Sequence, residues 1–219
     1  MKRTLTIISL VLGALMSHGL NAQESDPNRA KVVCFGDSIT KRGYPAILGE
    51  ALDVEVVNAG VAGHSSAQGL RRMKKDVIDH EPDVVVIFFG TNDARVDSDR
   101  AHVPVEQYES NLVEMVKAIE EAGAQAVICT LPPINEDEYF KRHETDLYDK
   151  EGGATKLWGR YRAAALKVAK DRRLPVVDLY GELGKQPKWM SPDGVHPSKE
   201  GCRIIARLVG EKVKPLVKN

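Results

Sequence analysis

Five short apolar runs punctuate the chain: Lys31 to Phe35, Val54 to Asn58, Val84 to Phe89, Ala126 to Thr130 and Pro175 to Leu179. Several are continuous rather than alternating, the pattern of strands covered on both faces. Between them, apolar residues recur at helical spacing. Tyr108, Leu112, Met115 and Ile119 mark one helix closing at Gly123, and Leu157, Tyr161, Ala165 and Val168 mark another. A last helix starts near Ser198 and carries Ile204, Ile205, Leu208 and Val209 before Pro215. After the first strand, Gly43 disfavours an early helix start, so the next helix is predicted from Tyr44 or Pro45.

Strands alternating with helices call for a parallel sheet joined by right-handed crossovers. The predicted class is therefore α/β: a three-layer α/β/α sandwich around a five-stranded parallel sheet in flavodoxin-like order. No repeat or interdomain linker interrupts the pattern, so residues 23–219 are predicted to form one domain. The segment Ile134 to Lys156, charged and carrying Gly152-Gly153, is too long for an ordinary connection. Two readings stand for it, a border of the substrate cleft or a solvated excursion, with Tyr139, Phe140 and Tyr148 as its apolar contacts.

Lys2 and Arg3, the apolar stretch Leu5 to Met16 and the small or polar residues after it make residues 1–22 resemble a secretory leader, cleaved after Gly19 or Ala22. The apolar core of 12 residues is shorter than a membrane span of about 20. A secreted or periplasmic protein without a stable membrane anchor is expected. Removing the leader leaves 29 basic and 31 acidic side chains, which gives no electrostatic footprint for nucleic acid and points to a small-molecule substrate. Cys34, Cys129 and Cys202 have neither the spacing of a zinc site nor an even number for a disulfide framework; they read as small buried apolar side chains.

Candidate chemistry gathers where strands end, the edge at which open parallel sheets bind ligands. Ser38 follows the first strand in Gly36-Asp37-Ser38, Gly63 the second, and Asn92 the third within Gly90-Thr91-Asn92-Asp93; His196 lies beyond the fifth in Asp193-Gly194-Val195-His196-Pro197. A serine is hardly ionised at neutral pH and needs a base at hydrogen-bond distance, and a turn at Gly194 can bring Asp193 onto one nitrogen of His196. Asn92 can offer a side-chain amide to an oxyanion, and Gly63 a backbone N–H where a β-carbon would block approach. Taken singly, each has a bland alternative: a capping residue, a turn asparagine, a loop glycine, a surface histidine.

Taken together and in order, these four blocks resemble the GDSL or SGNH hydrolases, and the resemblance spans essentially the whole mature chain. It implies a serine ester hydrolase with Ser38 as nucleophile, His196 as general base and acid, and Asp193 orienting it. It also implies an oxyanion hole made of the Ser38 N–H, the Gly63 N–H and the Asn92 side chain, with no metal or other cofactor. Gly60 is a rival for Gly63, although the spacing from Asn58 and the following His64-Ser65-Ser66 favour Gly63. Val57 to Arg72 and Trp189-Met190 resemble the bacterial thioesterase and lysophospholipase branch, whereas Gly-Thr-Asn-Asp resembles secreted sugar O-acetyl esterases.

The expected reaction is hydrolysis of carboxylic esters, with short-acyl esters of carbohydrates first and longer-acyl lysophospholipid or thioester substrates as the alternative. A non-catalytic carbohydrate-binding α/β protein is the alternative from another class. No G-x-S-x-G elbow, H-E-x-x-H, P-loop or G-x-G-x-x-G occurs.

Overall fold

The computed structural model describes residues 29–186 and 188–217; the leader predicted at residues 1–22 lies outside the described residues. Five parallel strands form one sheet in the order β2-β1-β3-β4-β5. They are β1 (Lys31–Gly36), β2 (Glu55–Gly60), β3 (Val84–Phe88), β4 (Gln125–Cys129) and β5 (Val176–Val177). The connecting helices are α1 (Ser38–Lys41), α2 (Tyr44–Leu52), α3 (Ser66–Asp76), α4 (Val105–Glu121), α5 (Glu136–Tyr139), α6 (Thr145–Lys150), α7 (Ala154–Arg172), α8 (Leu179–Leu183) and α9 (Lys199–Val213). This is the flavodoxin-like order expected from the sequence.

Alternate residues of each central strand point to opposite faces, because side chains in a strand repeat every two residues. Val33, Phe35, Val85, Ile87, Ala126 and Ile128 pack with Met73, Leu112, Met115 and Leu157 from α3, α4 and α7. Val32, Cys34, Val84, Val86, Val127 and Cys129 pack with Leu48, Ile205 and Val209 from α2 and α9. Every residue of β3 is fully buried, which explains its unbroken apolar run. All three cysteines are buried free thiols.

Three departures from the predicted elements have local causes. A helical turn, α1, begins at Ser38, six residues before the expected start: the Asp37 carboxylate caps it by accepting the Ile39 N–H at 2.8 Å. Gly43, at φ +122°, then separates this turn from α2. Strand β5 stops at Val177 because the Asp178 side chain accepts the Gly181 N–H and turns the chain into α8. The Ile134 to Lys156 segment contains α5 and α6, with Tyr139 buried edge-on against both Trp158 and Tyr148 and the buried Tyr148 ring tilted against Trp158. Two buried tyrosines anchor it to the core, while most of its charged residues stay exposed.

Strand register brings the chain exits to one level, since Gly36 pairs with Gly60 on one side and with Phe88 on the other. At that level β2 lies directly against α1, so a β-carbon on Gly60 would meet the Lys41 nitrogen at 2.3 Å. Gly60→Ala is expected to destabilise the fold by about 1–3 kcal/mol, the usual cost of overpacking a tight contact. Urea denaturation measures it, and wild-type stability would show that this contact yields freely.

Candidate active site

Ser38 opens α1 immediately beyond β1, and its hydroxyl lies 2.8 Å from His196 Nε2, a contact spanning 158 residues of chain. On the other side of the ring, His196 Nδ1 lies 2.8 Å from Asp193 Oδ2. A carboxylate only accepts, so in the neutral ring Nδ1 carries the proton and Nε2 presents its lone pair to the serine hydroxyl.

The turn carrying Asp193 and His196 is closed by its own backbone. Met190 and Pro197 form an antiparallel bridge, the Ser191 N–H donates to the His196 carbonyl at 2.8 Å, and Gly194 takes φ +75° between them. Asp193 Oδ1 accepts the Ser191 hydroxyl at 2.8 Å and the N–H groups of Val195 and His196 at 3.1 and 2.9 Å. Arg42 comes within 3.5 Å of Oδ2. Partial burial alone would raise the Asp193 carboxyl, but these donors and the His196 ring hold it well below the usual carboxylate range. Asp193 therefore stays ionised beside the imidazole.

The Ile134 to Lys156 segment supports this turn. The Asn135 N–H donates to the Gly194 carbonyl at 2.9 Å, and Arg142 donates to the Asp193 carbonyl. The segment is tied in turn to the loop after Asn92. His143 Nδ1 bonds Asp97 Oδ2 at 2.6 Å, and the Tyr148 hydroxyl donates to Asp97 Oδ1 at 2.9 Å.

Asn92 Nδ2 donates to the His64 carbonyl at 3.1 Å and to Asp37 Oδ2 at 3.3 Å, joining the neighbour of Gly63 to the neighbour of Ser38. The rival glycines separate clearly. The Gly60 N–H is taken by Asn58 Oδ1 at 3.0 Å, and its missing side chain is needed for packing. Gly63 is exposed at φ +75°, and its N–H has no acceptor among the described residues. No protein atom would meet a β-carbon there, and the positive φ is a backbone conformation that favours glycine.

Two carboxylates buried under these loops were not singled out as functional by the sequence. Burial pushes Asp37 up to about 7, with the Asp93 charge adding to it, against the donors Ile39 and Asn92. Burial also pushes Asp93 up to about 7, against donors from Ser66 and from the Gly90 N–H at 3.1 Å. Arg72 was likewise missed. Its helix offered a signal: it stands three residues after Gly69 and one before Met73, on the face of α3 that those two buried residues define.

Among the described residues, no helix is long and apolar enough to cross a membrane, and no three His, Cys, Asp or Glu side chains group as a metal site would need.

Comparison with known proteins gives this arrangement its context. The chain is 28% identical over 222 residues to an arylesterase of Vibrio mimicus, covering 94% of this chain and 96% of that one. It is 26% identical to the thioesterase 1/protease 1/lysophospholipase L1 of Escherichia coli K12, over 85% of this chain and 84% of that one. Among solved structures, an acetyl xylan esterase superposes with a TM-score of 0.69 at 25% identity, covering 84% of this chain and 99% of that one. Residues 34–204 match the model of the GDSL-like lipase/acylhydrolase family, which sets aside the non-catalytic alternative. The chain belongs to that family and is an ester-bond hydrolase.

Proposed function

We propose that the protein hydrolyses short-acyl esters of carbohydrates outside the cytoplasm, through an acyl intermediate on Ser38. The observation that carries the mechanism is the hydrogen-bonded chain Ser38 Oγ, His196, Asp193, each link 2.8 Å long. As Ser38 Oγ attacks the ester carbonyl, His196 Nε2 takes its proton and Asp193 stabilises the resulting imidazolium. The tetrahedral oxyanion is met by the N–H groups of Ser38 and Gly63 and by the Asn92 amide. Both hydrogens of that amide already have partners, so the developing charge competes with the longer contact, the one to Asp37. Collapse expels the alcohol, which leaves with the proton from His196. Water, deprotonated by the same nitrogen, then cleaves the acyl-serine and restores the enzyme.

The acyl and alcohol preference is read from the relatives and from the rim of the site. The acetyl xylan esterase neighbour favours an acetyl group on a sugar, as does the Gly-Thr-Asn-Asp block. Lys41, Arg42 and His64 stand close in sequence to Ser38 and Gly63 and are at least partly exposed, giving a polar rim suited to a hydroxylated leaving group. The Escherichia coli relative supports the other reading, a longer acyl chain on a thiol or lysophospholipid. With p-nitrophenyl esters, kcat/KM is expected to be highest for acetyl and to fall through octanoyl to palmitoyl. A maximum at either longer chain would favour the second reading.

An organophosphonate should add one adduct to Ser38, lost in Ser38→Ala and His196→Ala, as read by intact-mass spectrometry. A folded, ester-cleaving preparation without an adduct would overturn the nucleophile. The same spectrum of protein recovered from its natural host should lack residues 1–22 or 1–19. Asn92→Ala should lower kcat by about 10²- to 10³-fold, the usual effect of removing one oxyanion donor. Normal ester turnover in that variant would exclude Asn92 from the oxyanion hole.

A further inference from the structure

We propose that Arg72 is a positioning residue for ester hydrolysis, fixing through His64 the loop that presents the Gly63 N–H. The inference rests on the reading of Ser38, Gly63 and Asn92 given above. The Arg72 side chain is only 12% exposed, and its guanidinium reaches three strand ends at once. Nη2 donates to the Gly36 carbonyl at 2.7 Å, two residues before Ser38. Nη1 donates to the Ala59 carbonyl at 2.8 Å, just before the turn that leads to Gly63. The guanidinium carbon sits 4.5 Å from the centre of the Phe35 ring and 5.8 Å from that of Phe89, the residue that precedes Gly90-Thr91-Asn92.

Nη1 also pairs with the Asp76 carboxylate at 2.9 Å, a third hydrogen-bond partner. A guanidinium that served only to neutralise Asp76 would need neither carbonyl, and it would not need the fourth contact, from Nε to His64 Nδ1 at 3.2 Å. Because Nε carries a hydrogen, His64 Nδ1 must accept, so the ring is neutral with its proton on Nε2. The charges around the ring favour that state. Partial burial and the positive charges of Arg72 and Arg71 on α3 and Arg100 beyond β3 lower the pKa of His64, and Asp76 opposes them.

His64 is thus held at both ends. Arg72 grips its ring, and Asn92 Nδ2 donates to its carbonyl at 3.1 Å. Among the described residues, the other backbone hydrogen bonds of this turn are the Val61 N–H donating to the Gly36 carbonyl at 3.1 Å and the His64 N–H donating to the Val61 carbonyl at 3.3 Å, and Gly63 has no side chain to anchor it. An oxyanion donor works because it is already aimed before charge develops. A displacement of about 1 Å at such a group can cost about 10²-fold in rate.

His64 is partly exposed and its ring lies outside the core, so His64→Ala tests the link without threatening the fold. Its kcat should fall between about 10- and 10²-fold with KM within about threefold, the signature of an interaction felt in the transition state. The melting temperature should stay near that of the wild type. His64→Asn, whose amide oxygen can accept in place of Nδ1, should restore most of the lost turnover. Arg72→Lys, which keeps the charge but loses the fork, should resemble His64→Ala in kcat.

Wild-type kcat in His64→Ala would overturn the proposal. So would a loss confined to KM, or a His64→Asn variant as slow as His64→Ala. Ser38→Ala, measured alongside, separates the two levels: residual turnover there would defeat the underlying mechanism. An inactive Ser38→Ala beside a normal His64→Ala would defeat the positioning role alone.

Discussion

Parallel pairing imposes the arrangement on which the site depends. When all five strands run the same way, every chain exit falls on one edge of the sheet, and every crossover must return along a face. The faces are thereby committed to apolar packing against helices, and polar chemistry is confined to the carboxyl edge. Register completes the constraint: Gly36, Gly60 and Phe88 stand side by side, so the loops that follow them start from a common level. Residues remote in sequence then become neighbours, as Asn92 does with both Asp37 and His64.

Holding that edge in shape requires polar groups in a place where water is scarce. Asp37 and Asp93 are 1% and 0% exposed; Asp37 accepts the Ile39 N–H and the Asn92 amide, and Asp93 accepts the N–H groups of Ser66 and Gly90. An unpaired buried carboxylate would cost several kcal/mol, so such groups persist only where their donors are in place. Arg72 is the cationic counterpart, with its charge spread over two carbonyls, a carboxylate, an imidazole and two aromatic faces. The network links loops through hydrogen bonds of fixed direction, which restrains orientation in a way that apolar packing does not.

The turn bearing Asp193 and His196 is stabilised differently, from within and by a neighbouring segment. Its own bridge and Asp193's backbone donors define it locally, while α5 and its flanks hold Gly194 and the Asp193 carbonyl. The contacts of Asp97 with His143 and Tyr148 connect this support to the loop after β3. The long segment between β4 and α7 is therefore a brace between two parts of the site.

Local pattern alone was enough to predict the layers. Continuous apolar runs mark strands buried on both faces, helical spacing marks their covers, and their alternation leaves few topologies open. The four motifs were also legible, because turns and strand exits depend on near neighbours such as Gly36-Asp37 or Asp193-Gly194. What the sequence left open was set by contacts across the fold. That Gly60 packs against α1 and gives its N–H to Asn58, while the Gly63 N–H has no acceptor among the described residues, lay beyond the reach of local pattern. The turn starting at Ser38 escaped prediction because its cap is weak evidence in a chain punctuated by Gly43. Burial of Asp37, Asp93 and Arg72 escaped because a charged residue in sequence reads as exposed. Only the packed strands and helices decide which charges lose their water and which partners replace it.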